Sequence, residues 1–496
     1  MPPIALNRRN LPVLPPSVER PRFDPAQVKA GIAHIGLGGF HRAHMARYTQ
    51  ELMEEDPQAL DWGILGCLLV PNDRRMGDSL APQDALYTLV EREGAQERTR
   101  VIASLVGLVD ATQSSEALLA KLDDPAIRII SLTVTENGYC LNPATKQLDP
   151  DHALIRADLE SPGNPRSAIG LIVETLRRRK HAGTAPPTLL TCDNIQHNGE
   201  VLRRAVLALA GLRDDALAAW IEREVAFPST MVDRITPVTA QADIDELATR
   251  HGLADRWPVI SETFSQWVIE DRFPAGRPAW EQVGAQFVPD VAPYEFMKLR
   301  LLNASHLAVS GLGQLAGYVT IDESLADSRI RAVMMALMER ETGPTLPDIP
   351  GIDLAAYKAR LIERFANPAI RDTVQRVNTD APLNYLVDPI RDRLQSGGDV
   401  TFLALALAAW LRRVRGTDEQ GKPIQVSHPI AEILRERAIE GGGDPRPLLS
   451  ERSLFGELGD NPLLVEATHR WLASLYNLGT HHTLDEAERL ASRRQG

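Results

Sequence analysis

The pattern of apolar and polar residues divides the chain into two parts, and the first part alternates short apolar runs with amphipathic stretches. The predicted strands are 31–36, 62–70, 127–134 and 188–192, and the predicted helices are 43–55, 114–122, 166–181 and 199–212. Strands that are apolar almost throughout are typical of a parallel sheet covered by helices on both faces. The pattern therefore predicts an α/β fold with a doubly wound parallel sheet.

In the second part, helical periodicity dominates. The predicted helices are 293–318, 328–341, 353–365, 389–396, 401–415, 428–440, 462–477 and 484–493. At 496 residues the chain exceeds the size at which a single core keeps growing. We therefore predict two domains, an α/β domain over 1–285 and a mainly α-helical domain over 286–496.

Composition and charge exclude several classes of protein. The net charge of -12 offers no basic excess to neutralise phosphates, so nucleic-acid binding is not expected. The three cysteines are far apart, without the spacing of a thiolate metal site, and the N-terminus lacks the apolar core of a signal peptide. The longest apolar run, 402–411, is too short to span a bilayer. A cytoplasmic protein without disulfides, metal or membrane contact is expected.

The first predicted helix of the second part is apolar on most sides, yet Lys298, Asn303 and His306 lie within it. At about 100° per residue they fall near 0°, 140° and 80°, so that they share one broad face of an α-helix. Burying a lysine, an amide and an imidazole costs several kcal/mol unless each is hydrogen-bonded or functional. A solvated lysine beside two satisfied core residues is an equally good interpretation of the pattern alone.

A glycine turn follows the first predicted strand. Its glycines are Gly36, Gly38 and Gly39, followed by Phe40, and His41 stands where the usual fingerprint has a third glycine. A strand, a glycine turn and a helix together place a pyrophosphate on backbone N–H groups. The alternative is a tight glycine turn without a ligand.

Polar residues follow the other predicted strands. Asp73 lies after the second strand, at the distance where a dinucleotide fold keeps its ribose-binding carboxylate. It would favour NAD, although Arg74 and Arg75 leave room for the 2'-phosphate of NADP. A helix cap or turn residue is the alternative for Asp73.

Three further segments end in polar residues, and ligands of such sheets bind beyond the carboxyl ends of strands. They contain Glu136, the pair Asp193 and Asn194 with Asn198 nearby, and Asp233. Asp193 and Asn198 are also ordinary loop or cap residues, and Asp233 beside Arg234 is equally an ion pair.

Taken together, these segments resemble the polyol-specific long-chain dehydrogenases, a family that includes mannitol 2-dehydrogenases and fructuronate reductases. The stretches that carry the resemblance are Gly36 to His44, Thr135 to Tyr139, Thr191 to Asn194, Met231 to Ile235, and Met297-Lys298 through Asn303-x-x-His306. The resemblance implies metal-independent, NAD(P)-linked oxidation of a secondary alcohol, with a dinucleotide-binding first domain and a catalytic second domain.

The resemblance also implies roles for the residues. Lys298 would be the general base, Asn194 and Asn303 would hydrogen-bond the substrate oxygen, and His306 would orient the sugar chain. The glycine turn would hold the pyrophosphate, and Glu136 and Asp233 would be polar or proton-relaying partners. Arg376 matches an arginine on the substrate side of the family's site.

One stretch departs from the family. Members usually carry Asp-Gly-Ser-x-Lys-x-Pro in the second domain, whereas Asp380 to Tyr385 is shortened and lacks that lysine. We expect D-mannitol and D-fructose as substrates, with D-fructuronate to D-mannonate, or another polyol such as D-arabinitol, as alternatives. A non-catalytic NAD-binding protein is a remote alternative. A monomer is expected.

Overall fold

The computed structural model describes residues 2–142 and 145–493, and the chain forms two compact units, 1–292 and 293–496. The boundary lies between Ala292 and Pro293, whereas the sequence pattern placed it after residue 285. Each unit is one continuous stretch of chain. The three cysteines are free and buried.

The first unit is built on a five-stranded parallel sheet. In spatial order its strands are Leu105–Asp110, Gly63–Leu68, Ala30–Ile35, Ile129–Leu132 and Thr188–Thr191. All four neighbouring pairs run parallel. Numbered along the chain, this is the order 3-2-1-4-5 of a doubly wound dinucleotide fold. The predicted α/β class is confirmed.

Helices of the first unit pack apolar side chains against this sheet. They are Gly39–Ala43, Met45–Glu55, Arg74–Leu80, Glu116–Leu122, Ala153–Glu160, Ala168–Ala182, Asn198–Arg213 and Asp215–Glu224. A further helix, Gln241–His251, instead places Leu247 in a separate apolar cluster outside this sheet. The helix predicted over 43–55 is broken at His44, whose ψ of -92° is not helical.

Three small sheets accompany the large one. They are Val259–Glu262 with Tyr87–Glu93 and Gln96–Ile102, Gln286–Val288 with Gln266–Glu270 and Thr230–Asp233, and Ile4–Ala5 with Leu253–Ala254.

The second unit is helical, and its described residues contain no strand longer than an isolated bridge. Its α-helices are Ala292–Met297, Ala304–Leu315, Ile321–Ala326, Ser328–Ala336, Leu354–Phe365, Val374–Asp380, Asn384–Gln395, Thr401–Arg413, Ala431–Gly441, Arg446–Leu449, Arg452–Phe455, Pro462–Asn477 and Thr480–Ser492. Helix Thr401–Arg413, buried from Phe402 to Arg413, is central and packs on Pro462–Asn477 and Ala304–Leu315.

Two segments of the second unit are π-helices, Lys298–Asn303 and Leu337–Thr342, and they contact each other. The prediction of one α-helix over 293–318 is therefore wrong in its middle. The helix predicted to begin at Pro389 begins instead at Asn384, with the proline inside it.

Candidate active site

The glycine turn after strand Ala30–Ile35 is shaped by two glycines with different constraints. Gly36 has φ +96°, and a Cβ there would lie 2.1 Å from the carbonyl oxygen of Thr133, so a side chain does not fit. At Gly38 an added Cβ would meet nothing within 4 Å. The backbone at Gly38 is thus open to the close approach of a ligand.

A cavity of about 350 Å³ lies beside this turn. It is bounded by the ends of strands Ala30–Ile35, Gly63–Leu68 and Ile129–Leu132, with Asp73, Arg75 and Trp257 also in its wall. The strand order reverses between Ala30–Ile35 and Ile129–Leu132, which is where doubly wound sheets bind their ligands. Its position and the open glycine backbone fit a dinucleotide.

Asp73 lies in the cavity wall and also holds its own turn together. Its Oδ2 accepts hydrogen bonds from the backbone N–H groups of Leu69 at 2.8 Å and Val70 at 2.9 Å. These are the bonds of a turn residue, and the ribose contact of Asp73 stays a prediction. Arg75 stacks its guanidinium 4.2 Å from the Trp257 ring, whereas Arg74 donates to the hydroxyl of Thr112.

Three buried histidines, His34, His41 and His44, lie beside the turn, and the sequence pattern predicts no role for them. The rings of His34 and His41 stack with centroids 3.4 Å apart. In the usual fingerprint the third glycine lets the helix pack closely on the strand. Here the stacked rings of His34 and His41 form the contact between strand and helix at that position. Burial lowers the pKa of His34 and of His44 to about 3, and it lowers the pKa of His41 well below its ordinary value. All three imidazoles are neutral at physiological pH.

The carboxylate of Asp193 organises the loop after strand Ile129–Leu132. It accepts from the N–H groups of Val134 at 3.2 Å and Thr135 at 2.7 Å, and from the Tyr139 hydroxyl at 2.8 Å. Burial raises the pKa of Asp193 against these bonds, which lower it. The contacts of Asp193 are those of a loop residue, and they hold in place the loop that carries Glu136.

The neighbours of Asp193 differ in exposure. Asn194 is exposed at the end of strand Thr188–Thr191, whereas the buried Asn198 donates to the carbonyl oxygens of Asp193 and Thr230. Glu136 is 59% exposed and pairs with Lys146 at 2.9 Å.

Asp233 is buried at the end of strand Thr230–Asp233, close enough to His44 to raise its pKa slightly against burial. The neighbouring Arg234 forms a buried ion pair with Glu91 and donates to the carbonyl oxygens of Ala43 and Glu262. Asp233, at the end of its strand, is therefore near His44, one of the three buried histidines beside the glycine turn.

In the second unit, Lys298 and Asn303 are the first and last residues of a π-helix. Both are buried, with 8% and 7% of their surface exposed. The N–H of Ala304 donates to the carbonyl of Leu299, which is the i to i+5 bond of a π-helix. The amide nitrogen of Asn303 has no hydrogen-bond partner among the described residues.

This helix type changes the predicted geometry. In an α-helix, residues five apart are separated by about 140° around the axis. A π-helix has more residues per turn than an α-helix, so a step of five residues is closer to one full turn. The angle between Lys298 and Asn303 around the axis is therefore smaller than in an α-helix. The angles calculated from an α-helix are therefore wrong, and the two side chains share a narrower face than predicted.

His306 is held by a carboxylate that the sequence analysis did not single out. Its Nε2 lies 3.4 Å from Oδ2 of Asp372, and its ring packs at a tilt against Phe365 with centroids 4.4 Å apart. Asp372 accepts from Arg376 through both oxygens, at 2.6 and 2.5 Å. Although burial pushes the pKa of Asp372 upward, His306 and Arg376 together hold it well below its ordinary value.

The stretch that departs from the family begins next to this network. Asp380 is the last residue of helix Val374–Asp380, and its Oδ2 lies 3.4 Å from Nη1 of Arg376. A second carboxylate thus faces Arg376, and the next helix starts at Asn384.

No three His, Cys, Asp or Glu side chains within 2–142 and 145–493 are placed to hold a metal ion. None of the helices formed by these residues is both long and apolar enough to cross a membrane.

Comparison with known proteins finds two family models that match most of the chain. The mannitol dehydrogenase Rossmann domain matches residues 30–282, and the mannitol dehydrogenase C-terminal domain matches residues 290–476.

Individual relatives match over nearly their whole length. Mannitol 2-dehydrogenase of Aspergillus fumigatus is 42% identical over 471 residues, covering 92% of this chain and 93% of that protein. D-mannonate oxidoreductase of Escherichia coli is 44% identical over 455 residues, covering 90% and 92%. The solved structure of Pseudomonas fluorescens mannitol 2-dehydrogenase, a ternary complex with NAD and D-mannitol, has a TM-score of 0.89 and 41% identity. It covers 99% of this chain and 100% of that chain.

Proposed function

The chain belongs to the mannitol dehydrogenase family, and on that premise we propose that it is an NAD-dependent polyol dehydrogenase interconverting D-mannitol and D-fructose. The observation that carries this proposal is the match to the Pseudomonas fluorescens enzyme solved with NAD and D-mannitol, over 99% of this chain. Residues 1–285 serve as the dinucleotide-binding domain, and residues 286–496 bind substrate and carry the catalytic lysine.

Cofactor binding is assigned to Gly36, Gly38, Gly39, Phe40 and Asp73. The open backbone at Gly38 and the cavity beside it support a pyrophosphate at this turn. The Asp73 carboxylate hydrogen-bonds the adenosine ribose and disfavours the 2'-phosphate of NADP, because two negative groups would meet there. NAD is accordingly the cofactor, and when bound it supplies the hydride acceptor.

Lys298 is the general base. A carbon loses hydride only as its oxygen gives up a proton, so a base must lie within hydrogen-bond reach of that hydroxyl. A free lysine, with a pKa of roughly 10.4, is almost fully charged at neutral pH. Burial of Lys298 favours its neutral form and so makes it a better base. In the direction of ketone reduction the same ammonium returns the proton.

Asn194 and Asn303 donate hydrogen bonds to the substrate oxygen as it gains negative charge, a role that needs no metal ion. The Asn303 amide nitrogen supports this assignment, because a buried donor without a partner costs about 1–3 kcal/mol. His306 and Arg376 orient the sugar chain. Glu136 and Asp233 relay the proton, and the exposure of Glu136 suits exchange with water.

A second candidate is the reduction of D-fructuronate to D-mannonate, favoured by the 44% identity to the Escherichia coli D-mannonate oxidoreductase. The change in NADH absorbance on adding D-fructose, and then D-fructuronate, tests both, without added metal and again with chelator. Chelator-insensitive oxidation of NADH by fructose is expected. Turnover of D-fructuronate alone would favour the second candidate, the reduction to D-mannonate. If neither substrate is turned over, both candidate functions are contradicted. Light scattering is expected to give the mass of a monomer.

A further inference from the structure

The group of charges around Arg376 has no excess positive charge. The guanidinium meets Asp372 through Nε and Nη2, at 2.6 and 2.5 Å, and Asp380 through Nη1 at 3.4 Å. One cation therefore faces two carboxylates. Asp372 and Arg376 cancel each other, and Asp380 remains as a net negative charge.

His306 does not reverse this balance. Its Nε2 lies 3.4 Å from Oδ2 of Asp372, yet this buried nitrogen forms no hydrogen bond to any described residue. The nearby carboxylate orients the ring, and a buried ring nitrogen without a hydrogen bond favours a ligand group that supplies one. A hydroxyl group suits this nitrogen in either protonation state, because it can both donate and accept.

The stretch after Arg376 offers no replacement cation. Residues 381–385 are Ala, Pro, Leu, Asn and Tyr. The basic residue nearest to Arg376 in sequence is Arg371, directly before Asp372. It is exposed and makes no ion pair within the described residues.

From this charge balance we propose that the His306, Asp372 and Arg376 network selects a neutral hydroxylated chain over a carboxylate, and that Asp380 is a specificity-determining residue. The inference rests on the proposed function, in which this network binds the substrate chain. D-fructuronate carries a carboxylate where D-fructose carries a hydroxymethyl group. Arg376 cannot offer its Nε and Nη2 edge to that carboxylate, since Asp372 already occupies it, and its Nη1 faces the negative charge of Asp380.

The test compares kcat/KM for D-fructose and D-fructuronate at saturating NADH in the wild type and in Asp380→Asn. The wild type is expected to prefer fructose. Removing the Asp380 charge should raise the ratio of uronate to ketose activity about fivefold, the effect of one charge at about 4 Å in water. The rise should shrink as salt is added, because the charge is solvent-exposed.

The matched control is Asp485→Asn, which removes a carboxylate of similar exposure, 57% against 60%, that pairs with Arg329 elsewhere in the same unit. This control should leave the ratio unchanged. Thermal unfolding of both variants checks that they are folded.

Three outcomes would overturn the inference in different ways. An equal ratio in Asp380→Asn and Asp485→Asn would remove the role of Asp380. A wild type that prefers the uronate, with the preference lost in Arg371→Gln, would show that Arg371 supplies the cation, while the family chemistry stands. No turnover of either substrate would contradict the proposed function itself.

Discussion

Lys298 is the residue on which the proposed chemistry depends most directly. Replacing it by alanine should lower kcat by about 10²–10⁴-fold, the usual contribution of a general base, without changing NADH affinity. Steady-state rates and NADH fluorescence titration measure the two quantities. Lys358→Ala is the control, because Lys358 is a partly buried lysine of the same unit, paired with Glu339 at 2.9 Å. A Lys298 variant of near-normal rate would contradict the assignment.

Arg179 shows what a single buried cation does for the fold. Its guanidinium donates to the carbonyl oxygens of Leu122, Asp124, Ile127 and Ala185 and is 2% exposed. Arg179→Met should therefore destabilise the first unit by about 3–5 kcal/mol, because the buried carbonyl oxygens of Leu122 and Ile127 lose their donor. Denaturant unfolding measures the loss.

The control for this change is Arg223→Met, whose side chain is 67% exposed and should cost little. Equal midpoints for the Arg179 and Arg223 variants would show that the carbonyl oxygens find other partners. A run of basic residues over 177–180 looks like a solvated helix end, and only the structure separates the buried arginine from its neighbours.

At the scale of single residues, the sequence reveals polar side chains that differ from their apolar surroundings. Lys298, Asn303 and His306 stood out because polar residues interrupted an apolar helix. Asp372 did not stand out, because it lies in a loop just before a helix, where an aspartate is ordinary. Its importance comes from contact with His306, a partner distant in sequence, which periodicity does not reveal.

At the scale of elements, the π-helix Lys298–Asn303 sets the angle between the base and the amide. Deleting Leu301 should convert the segment to an α-helix and rotate Lys298 by about 100° relative to Asn303 and His306. Turnover should fall by at least about 100-fold, as expected for misplaced catalytic groups, with NADH binding kept. Rates and NADH titration are again the measurements.

The control is Leu301→Ala, which removes the same buried side chain but keeps the number of residues in the turn. It should destabilise the second unit by about 2–5 kcal/mol while retaining most activity. A similar loss of activity in both variants would attribute the effect to packing rather than to the turn.

The sequence predicted a helix here but not its type, because six residues are too few to separate a period of 3.6 from a wider turn. The sheet containing Tyr87–Glu93 and Gln96–Ile102 was missed for a different reason. Glu91 and Arg100 within it form an ion pair at 2.8 Å with both side chains 4% exposed. These buried charges interrupt the apolar pattern by which a strand is found.

At the scale of the whole molecule, Glu341 should make the free energy of unfolding depend on pH. Both its oxygens accept backbone N–H groups, of Phe402 and Leu403, at the start of the central helix Thr401–Arg413. Burial nevertheless raises the pKa of Glu341 from 4.5 to about 8. Between these values the folded state keeps a proton that the unfolded state has lost, so the free energy of unfolding falls as pH rises.

Glu341→Gln should remove this slope, so the difference between wild type and variant should change steadily between pH 6.5 and 8. Below pH 6.5 the buried His34 and His44 act with the opposite sign, because their pKa values are lowered and the unfolded state binds protons more readily. Denaturant unfolding at several pH values gives the slopes. Parallel curves above pH 6.5 would show that Glu341 is ionised in the folded protein.

The two units are continuous in sequence, and this has a consequence for biosynthesis. Residues 1–292 are synthesised before any residue of the second unit. At about 5–20 residues per second, the remaining roughly 200 residues take on the order of ten to forty seconds. The glycine turn and its cavity belong wholly to the first unit, so a nascent chain can assemble them and meet NAD before the second unit is complete.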